Sequence, residues 1–189
     1  MEQNTLIILY PGCIEFEIML AAELMNRKFP VKCATPDGKP HIGSNGIKII
    51  PDYSFNEINV ELLRTILIPG GDPGSLLGNC DIDEILKMAN SKKVVLGAIC
   101  AGPFLLEKAG LMDSKRMAHG YGQSQLTFLK NKGYFKHSIL TDDMLVIEEN
   151  IVTAKPNAFI DFAVTVALCS GAIQSLDEAE QLKKYYKGK

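Results

Sequence analysis

Short runs of β-branched and aliphatic residues alternate with helix-length segments along the first two-thirds of the chain. Thr5 to Leu9, Val31 to Thr35, Thr65 to Ile68 and Val94 to Ala98 are such runs. Runs apolar on both faces suit strands buried on both faces. Between them lie helical patterns. Ile14 to Lys28 places Ile14, Ile18, Ala21 and Met25 at helical spacing. Asp81 to Ser91 places Ile82, Ile85, Leu86 and Ala89 on one face, with Asp81 as its cap. Alternation of this kind predicts an α/β fold, a mainly parallel sheet covered by helices on both faces.

The remaining segments extend the pattern. Ser44-Asn45-Gly46 predicts a hairpin turn within Ile42 to Ile50. A helix is expected from Ala101 to Ala109, stopped by Gly110, and another from Gln123 to Asn131. Ile139-Leu140, Leu145 to Ile147 and Ile151 to Thr153 read as short strands. Phe159 to Ser170 reads as an apolar helix with Gly171 beyond it. Ser175 to Lys187 is acidic early and basic late, which complements a helix macrodipole. No linker or repeat divides the 189 residues, so one domain spanning 1–189 is expected.

With 47% apolar residues and a net charge of −2, the chain gives no electrostatic reason to expect nucleic acid or an anionic membrane as partner. No stretch approaches the ~20 apolar residues of a membrane helix. Met1-Glu2-Gln3-Asn4 is polar and acidic where the basic segment of a secretory signal would stand. A cytoplasmic location with reduced thiols is the expectation. The five cysteines, Cys13, Cys33, Cys80, Cys100 and Cys169, contain no C-x-x-C. Only His41, His119 and His137 could join them, so neither a disulfide framework nor a metal site is expected.

One cysteine is placed differently from the others. In Val94-Val-Leu-Gly-Ala-Ile-Cys100-Ala-Gly-Pro-Phe104 a strand meets a helix with no loop residues to spare. The junction residue must turn sharply and project its side chain above the sheet, which is the geometry of a nucleophile elbow. Ala98, Ala101 and Gly102 permit the turn, and Pro103 suits a first helical turn. Unpaired amides at the helix start would lower the thiol pKa and favour the reactive thiolate. An inert core thiol is the alternative, since cysteine is among the most buried residue types. That alternative suits Cys33 and Cys169, in a strand and a helix, and the loop residues Cys13 and Cys80.

Two further segments fall at strand ends, where sites form in such folds. Pro69-Gly-Gly-Asp-Pro-Gly74 is neither a P-loop nor G-x-G-x-x-G. It is a tight turn or an oxyanion-binding loop, and in the second case the Gly71 and Ala101 amides would form the hole. Glu15 and Glu17 share the first turn of the first helix. The helical period sets Glu17 near the apolar stripe and Glu15 on the solvent flank. A carboxylate near an apolar face is costly unless paired or protonated. His119 could shuttle protons near neutrality or could simply end a strand.

Gly12-Cys-Ile-Glu-Phe-Glu17, Pro69-Gly-Gly71, Ala98-Ile-Cys-Ala-Gly-Pro103 and Thr153-Ala-Lys-Pro-Asn-Ala158 together resemble the ThiJ/PfpI superfamily. The resemblance is to the branch of the Parkinsonism-associated deglycase and the ThiJ-like proteins, and it runs from about Thr5 to Ser170. It implies a flavodoxin-like sandwich and a homodimer. It also implies that Cys100 is the nucleophile, that Glu17 contacts its sulfur, and that His119 stands at the pocket histidine. In the protease-like branch a histidine follows the elbow cysteine. Here Ala101 stands there, which disfavours a peptidase triad. An isocyanide hydratase would typically show Asp at the Glu17 place and Thr at the Ala101 place. Class I glutamine amidotransferases need a later His-x-Glu, which is absent.

Three functions compete, with an amidase- or peptidase-like hydrolase as a further alternative. The first is a cofactor-free glyoxalase or deglycase acting on small reactive carbonyls through Cys100, Glu17 and His119. The second is an oxidation sensor or chaperone-like stress protein whose Cys100 sulfinate is hydrogen-bonded by Glu17. The third, a ligand-binding module of a transcription regulator, would need a helix-turn-helix for which the residues after Ser170 are too few.

Overall fold

The structure, a computed structural model, describes residues 3–189. Met1 and Glu2, which begin the polar start read against a secretory signal and the expected 1–189 domain, lie outside the described residues. Seven strands form the central sheet: β1 (Asn4–Ile8), β2 (Val31–Thr35), β3 (Tyr53–Ser54), β4 (Leu63–Ile68), β5 (Val95–Ile99), β6 (Leu145–Glu148) and β7 (Ile151–Ala154). Their spatial order is β6-β7-β5-β4-β1-β2-β3. All neighbours are parallel except β6 and β7, which pair antiparallel at one edge.

The helices are α1 (Phe16–Asn26), α2 (Cys80–Ser91), α3 (Pro103–Lys108), α4 (Gln123–Asn131), α5 (Phe159–Ser170) and α6 (Leu176–Tyr186). Together with the sheet they make the α/β sandwich expected from the alternation. α1 packs on α5, and α6 packs on α5, while α2 packs with α3. Leu6, Ile8, Ile66, Leu67, Ile68 and Leu96 are fully buried between the layers. The buried apolar runs are therefore what drives this sheet together, by removing both strand faces from water.

The chain leaves β1 for β2 on one side and later builds β4 and β5 on the other. The strand order thus reverses between β1 and β4. A crevice forms at the carboxyl ends of strands where the order reverses, because the following segments diverge there.

Several boundaries differ from the sequence expectations. Ile14 is not helical. Cys13–Ile14 pairs antiparallel with Gly70–Gly71, so α1 starts only at Phe16. Cys13 is accordingly buried in a two-residue strand rather than a loop. The cap of α2 is Asn79, whose side-chain oxygen accepts from Ile82 N at 3.0 Å, not Asp81. Cys80 opens that helix and is exposed. Three turn residues precede α3, which begins at Pro103. The expected hairpin is present, pairing His41–Ile42 with Lys48–Ile49. Strand β3 was not foreseen; it joins the end of β2 through Ala34 with Tyr53 and Thr35 with Ser54.

Candidate active site

Cys100 follows β5 directly and sits in the left-handed region at φ 62°. For a residue with a Cβ this conformation costs roughly 1–2 kcal/mol. Three backbone hydrogen bonds hold it. Cys100 N donates to Ala154 O at 2.9 Å, Gly102 N to Ile99 O at 2.8 Å, and Gly120 N to Cys100 O at 2.7 Å. The sharp turn expected at the elbow is thus real, and it is fixed from β5, β7 and the 120 segment at once.

Glu17, in the first turn of α1, is only 2% exposed. Its Oε2 accepts from Gly70 N at 3.0 Å, and its carboxyl is a hydrogen-bond partner of the Cys100 thiol. Gly70 stands between the two. A Cβ there would lie 2.5 Å from both Cys100 Cβ and Glu17 Oε2, and 2.8 Å from the sulfur. Glycine is the residue that lets these groups meet. The backbone amides of Ala101 and Gly71 both reach the Cys100 sulfur. These are the two amides singled out in the sequence.

The loop carrying Gly70 is held from beneath. The Tyr10 hydroxyl lies 2.8 Å from the carbonyl oxygens of both Pro69 and Gly70 and is fully buried. On the other side, the Tyr121 hydroxyl donates to Ala101 O at 3.0 Å. Neither tyrosine was selected from the sequence. Tyr10 closes an apolar strand run and Tyr121 lies in a loop, so no periodicity marks them. The one available cue is that Tyr121 follows His119 closely.

Electrostatics correct one expectation. Burial, then the charge and hydrogen bond of Glu17, push the Cys100 thiol up to about 12. The Ala101 and Gly71 amides pull the other way and are outweighed. The thiol is therefore raised, not lowered, because desolvating a thiolate beside a carboxylate costs more than two amide dipoles return. Burial also raises Glu17, against the bonds from Cys100 and Gly70. The two groups titrate as a coupled pair.

Beside the sulfur lies a cavity of about 660 Å³, bounded by the Gly71–Gly74 loop on one side and by Tyr121 and α4 on the other. His119 is half-buried and does not line it. Its Nδ1 accepts from Tyr121 N at 3.1 Å. Burial lowers its pKa, with Lys155 and Lys130 acting in the same direction and Asp142 against them. Cys100 and Glu17 are thus brought together with the two amides, while the His119 ring lies outside the cavity lining, 6.1 Å from the Tyr121 ring between centroids.

Glu15 departs from its expected solvent position. It is 4% exposed, and among the described residues neither carboxyl oxygen has a hydrogen-bond partner. The hairpin folds over it, with Gly43 against the carboxyl group. Of the other thiols, Cys33 is half-buried and Cys169 is exposed on α5. Among the described residues, no group of three His, Cys, Asp or Glu side chains is placed to hold a metal ion.

A family model described as the DJ-1/PfpI family matches residues 3–169. The chain belongs to the DJ-1/PfpI family. Among DJ-1/PfpI relatives, the glutathione-independent glyoxalase DJR-1.2 of Caenorhabditis elegans is 28% identical over 169 residues, covering 87% of each chain. Protein DJ-1alpha of Drosophila melanogaster is 30% identical over 171 residues, covering 87% of this chain and 76% of the relative. The crystal structure of Drosophila melanogaster DJ-1beta matches with a TM-score of 0.80 at 23% identity, over 99% of this chain and 98% of that one. That likeness is one of fold. The DJ-1/PfpI sheet and its flanking helices are therefore the architecture described above. Among the described residues, no helix is long and apolar enough to cross a membrane.

Proposed function

We propose that this protein is a cofactor-free, cysteine-dependent enzyme that converts small reactive α-oxoaldehydes to 2-hydroxy acids, a glyoxalase-type activity. One observation carries the reading: a buried carboxyl and two backbone amides converge on the elbow sulfur. A relative named as a glutathione-independent glyoxalase supports it.

The chemistry balances without an external oxidant. Cys100 Sγ bonds to the aldehyde carbon as its proton passes to the Glu17 carboxylate, whose raised affinity suits it to that task. The carbonyl oxygen becomes an oxyanion facing the Gly71 and Ala101 amides and then takes the proton from Glu17, giving a hemithioacetal. Glu17 next removes the hydrogen from that carbon and returns a proton to the adjacent carbon. The hemithioacetal hydroxyl proton passes to the adjacent ketone oxygen, so the first carbon becomes a thioester carbonyl and the ketone becomes an alcohol. Water then breaks the carbon–sulfur bond, its oxygen going to the acyl carbon and a proton to the sulfur. Glu17 is the proton carrier favoured here because it contacts the sulfur; His119 is the alternative carrier.

The test is lactate formation from methylglyoxal. Wild type should turn over, Cys100→Ala should not, and His119→Ala should keep most of the rate. Equal turnover by wild type and Cys100→Ala would falsify the reading.

A second reading rests on the same pair. A protonated Glu17 can donate to a Cys100 sulfinate, which would make the site an oxidation sensor. Mild peroxide should then add two oxygens at Cys100 before any other cysteine reacts, as read by mass spectrometry. Earlier modification of exposed Cys80 or Cys169 sinks that reading.

A homodimer is also proposed. α1 leaves Phe16 and Met19 exposed at 56% and 43%, one turn apart on the same face. Sedimentation at micromolar concentration should give twice the monomer mass, and Phe16→Asp should restore the monomer.

A further inference from the structure

The cavity beside Cys100 is much larger than the smallest substrates of the proposed reaction require. Methylglyoxal has five non-hydrogen atoms; at about 30 Å³ each, the share of a water molecule in the liquid, it would fill about 150 Å³. The cavity measures about 660 Å³, within the range of sites for ligands of drug-like size.

Its walls state what the remaining space accepts. Ile14, Leu77, Phe104, Tyr121, Phe128 and Leu129 line it with large apolar or aromatic side chains. Phe128 and Leu77 are 61% and 45% exposed, and α4 has no buried residue at all. An aromatic ring and a leucine left open at the rim of a cavity mark a binding surface rather than a packed core. The polar side chains in the lining are Asp72, Tyr121, Ser124 and Gln125, none of them cationic. Asp72 Oδ1 accepts from Gly74 N at 2.9 Å, and Gln125 Oε1 accepts from Gly122 N at 3.0 Å. Among the described residues, the lining holds no lysine, arginine or histidine; Lys132 stands outside it, with its Nζ 5.7 Å from the Phe128 ring centroid, so a carboxylate or phosphate within the cavity would meet Asp72 without a lining cation beside it.

We propose that this cavity is a subsite for an uncharged aryl or extended alkyl group attached to the carbonyl that meets Cys100, with Phe128 and Leu77 as its specificity-determining rim. Aryl and long-chain α-oxoaldehydes are then the preferred substrate class, a statement that rests on the glyoxalase reading. In that class phenylglyoxal plus one water becomes mandelate by the steps given above. The reacting carbons sit at the sulfur, and the ring extends between the Gly71–Gly74 loop and α4.

Two measurements on the full chain test this separately from the reaction itself. The first compares kcat/KM for phenylglyoxal, methylglyoxal and 4-carboxyphenylglyoxal. Phenylglyoxal should exceed methylglyoxal by about tenfold, the discrimination that one well-packed methylene can give, and the carboxylated substrate should fall below phenylglyoxal by at least as much. Phe128→Ala should lower the phenylglyoxal to methylglyoxal ratio at least threefold, with circular dichroism confirming the fold. The second titrates acetophenone, which lacks the aldehyde, and follows amide shifts by NMR. Saturable shifts should map to 123–131 and Leu77, and Phe128→Ala should weaken them. If methylglyoxal is used as well as phenylglyoxal, or the variant leaves the ratio unchanged, the subsite is overturned and the glyoxalase reading stands. If neither aldehyde is turned over but acetophenone binds along α4, the glyoxalase reading falls and the subsite stands. If acetophenone produces no shifts in α4, the subsite is overturned whatever the turnover.

Discussion

Replacing Glu17 with glutamine separates the two roles assigned to its carboxyl. Gln keeps an oxygen to accept from Gly70 N, so the loop contact survives. What is lost is a negative charge close to Cys100. Glu17 Oε2 and the sulfur both lie within 3 Å of the point where a Gly70 Cβ would stand. For two unit charges about 5 Å apart at an effective dielectric of about 20, the interaction is about 3 kcal/mol. Removing it eases loss of the thiol proton, so Cys100 moves down from about 12 by roughly a hundredfold in proton affinity. Thiolate at pH 8 rises by the same factor. Intrinsic nucleophilicity falls with basicity and returns about a tenth of that, leaving roughly a tenfold faster alkylation. Iodoacetamide labelling of Cys100, followed by mass spectrometry across pH 6–10, measures it. Turnover should move oppositely, falling about 10²–10⁴-fold as the proton carrier is lost. Slower or unchanged labelling of a folded Glu17→Gln protein would refute the reasoning. It would mean that the Glu17 charge is not what holds the thiol up in the wild type.

Other outcomes follow from the same geometry. Because burial raises Glu17, its ionisation is disfavoured in the folded state, so stability is greatest below the unfolded carboxylate pKa and declines as pH rises through the raised one. Glu17→Gln should therefore flatten that decline in thermal melts between pH 4 and 8. Gly70→Ala inserts a Cβ 2.5 Å from Cys100 Cβ and should destabilise by about 1–3 kcal/mol in urea unfolding while abolishing turnover. Glu15→Met removes a buried carboxyl without partners and should stabilise by about 1–3 kcal/mol, with turnover retained. Asn79→Ala removes the cap of α2 and should cost about 1 kcal/mol by chemical denaturation.

Features written locally were legible in the sequence. Thr65 to Ile68 and Val94 to Ala98 name central strands because continuous apolar runs have few other uses in a chain of this size. Cys100 stands out because no residues separate its strand from the following turn and helix. Gly71 and Ala101 follow from it as the amides nearest that turn. What escaped was set by partners distant in the chain. Ile14 has helical spacing but is captured by Gly70 across the crevice. Glu15 points outward on a helical wheel, yet the 41–49 hairpin covers it. β3 is two residues long and carries no period at all. The raised thiol pKa is not legible in the sequence, because local helix-start amides can be read there, whereas desolvation and the Glu17 charge appear only once α1 docks. Tyr10 and Tyr121 were missed for the same reason, since their importance lies in which carbonyls they reach.

The left-handed backbone at Cys100 has a consequence for how this fold tolerates change. Glycine adopts φ near 62° without the clash a Cβ brings, so this apex is a place where the fold on its own would favour the smallest residue. Cys100→Gly should yield a protein at least as stable as wild type and chemically silent. The difference in unfolding free energy between the two would measure the tension the scaffold sustains to keep a sulfur raised at its apex. Folding on its own gives no reason for a sulfur at this apex, so its presence is the part of the elbow that the glyoxalase proposal has to account for.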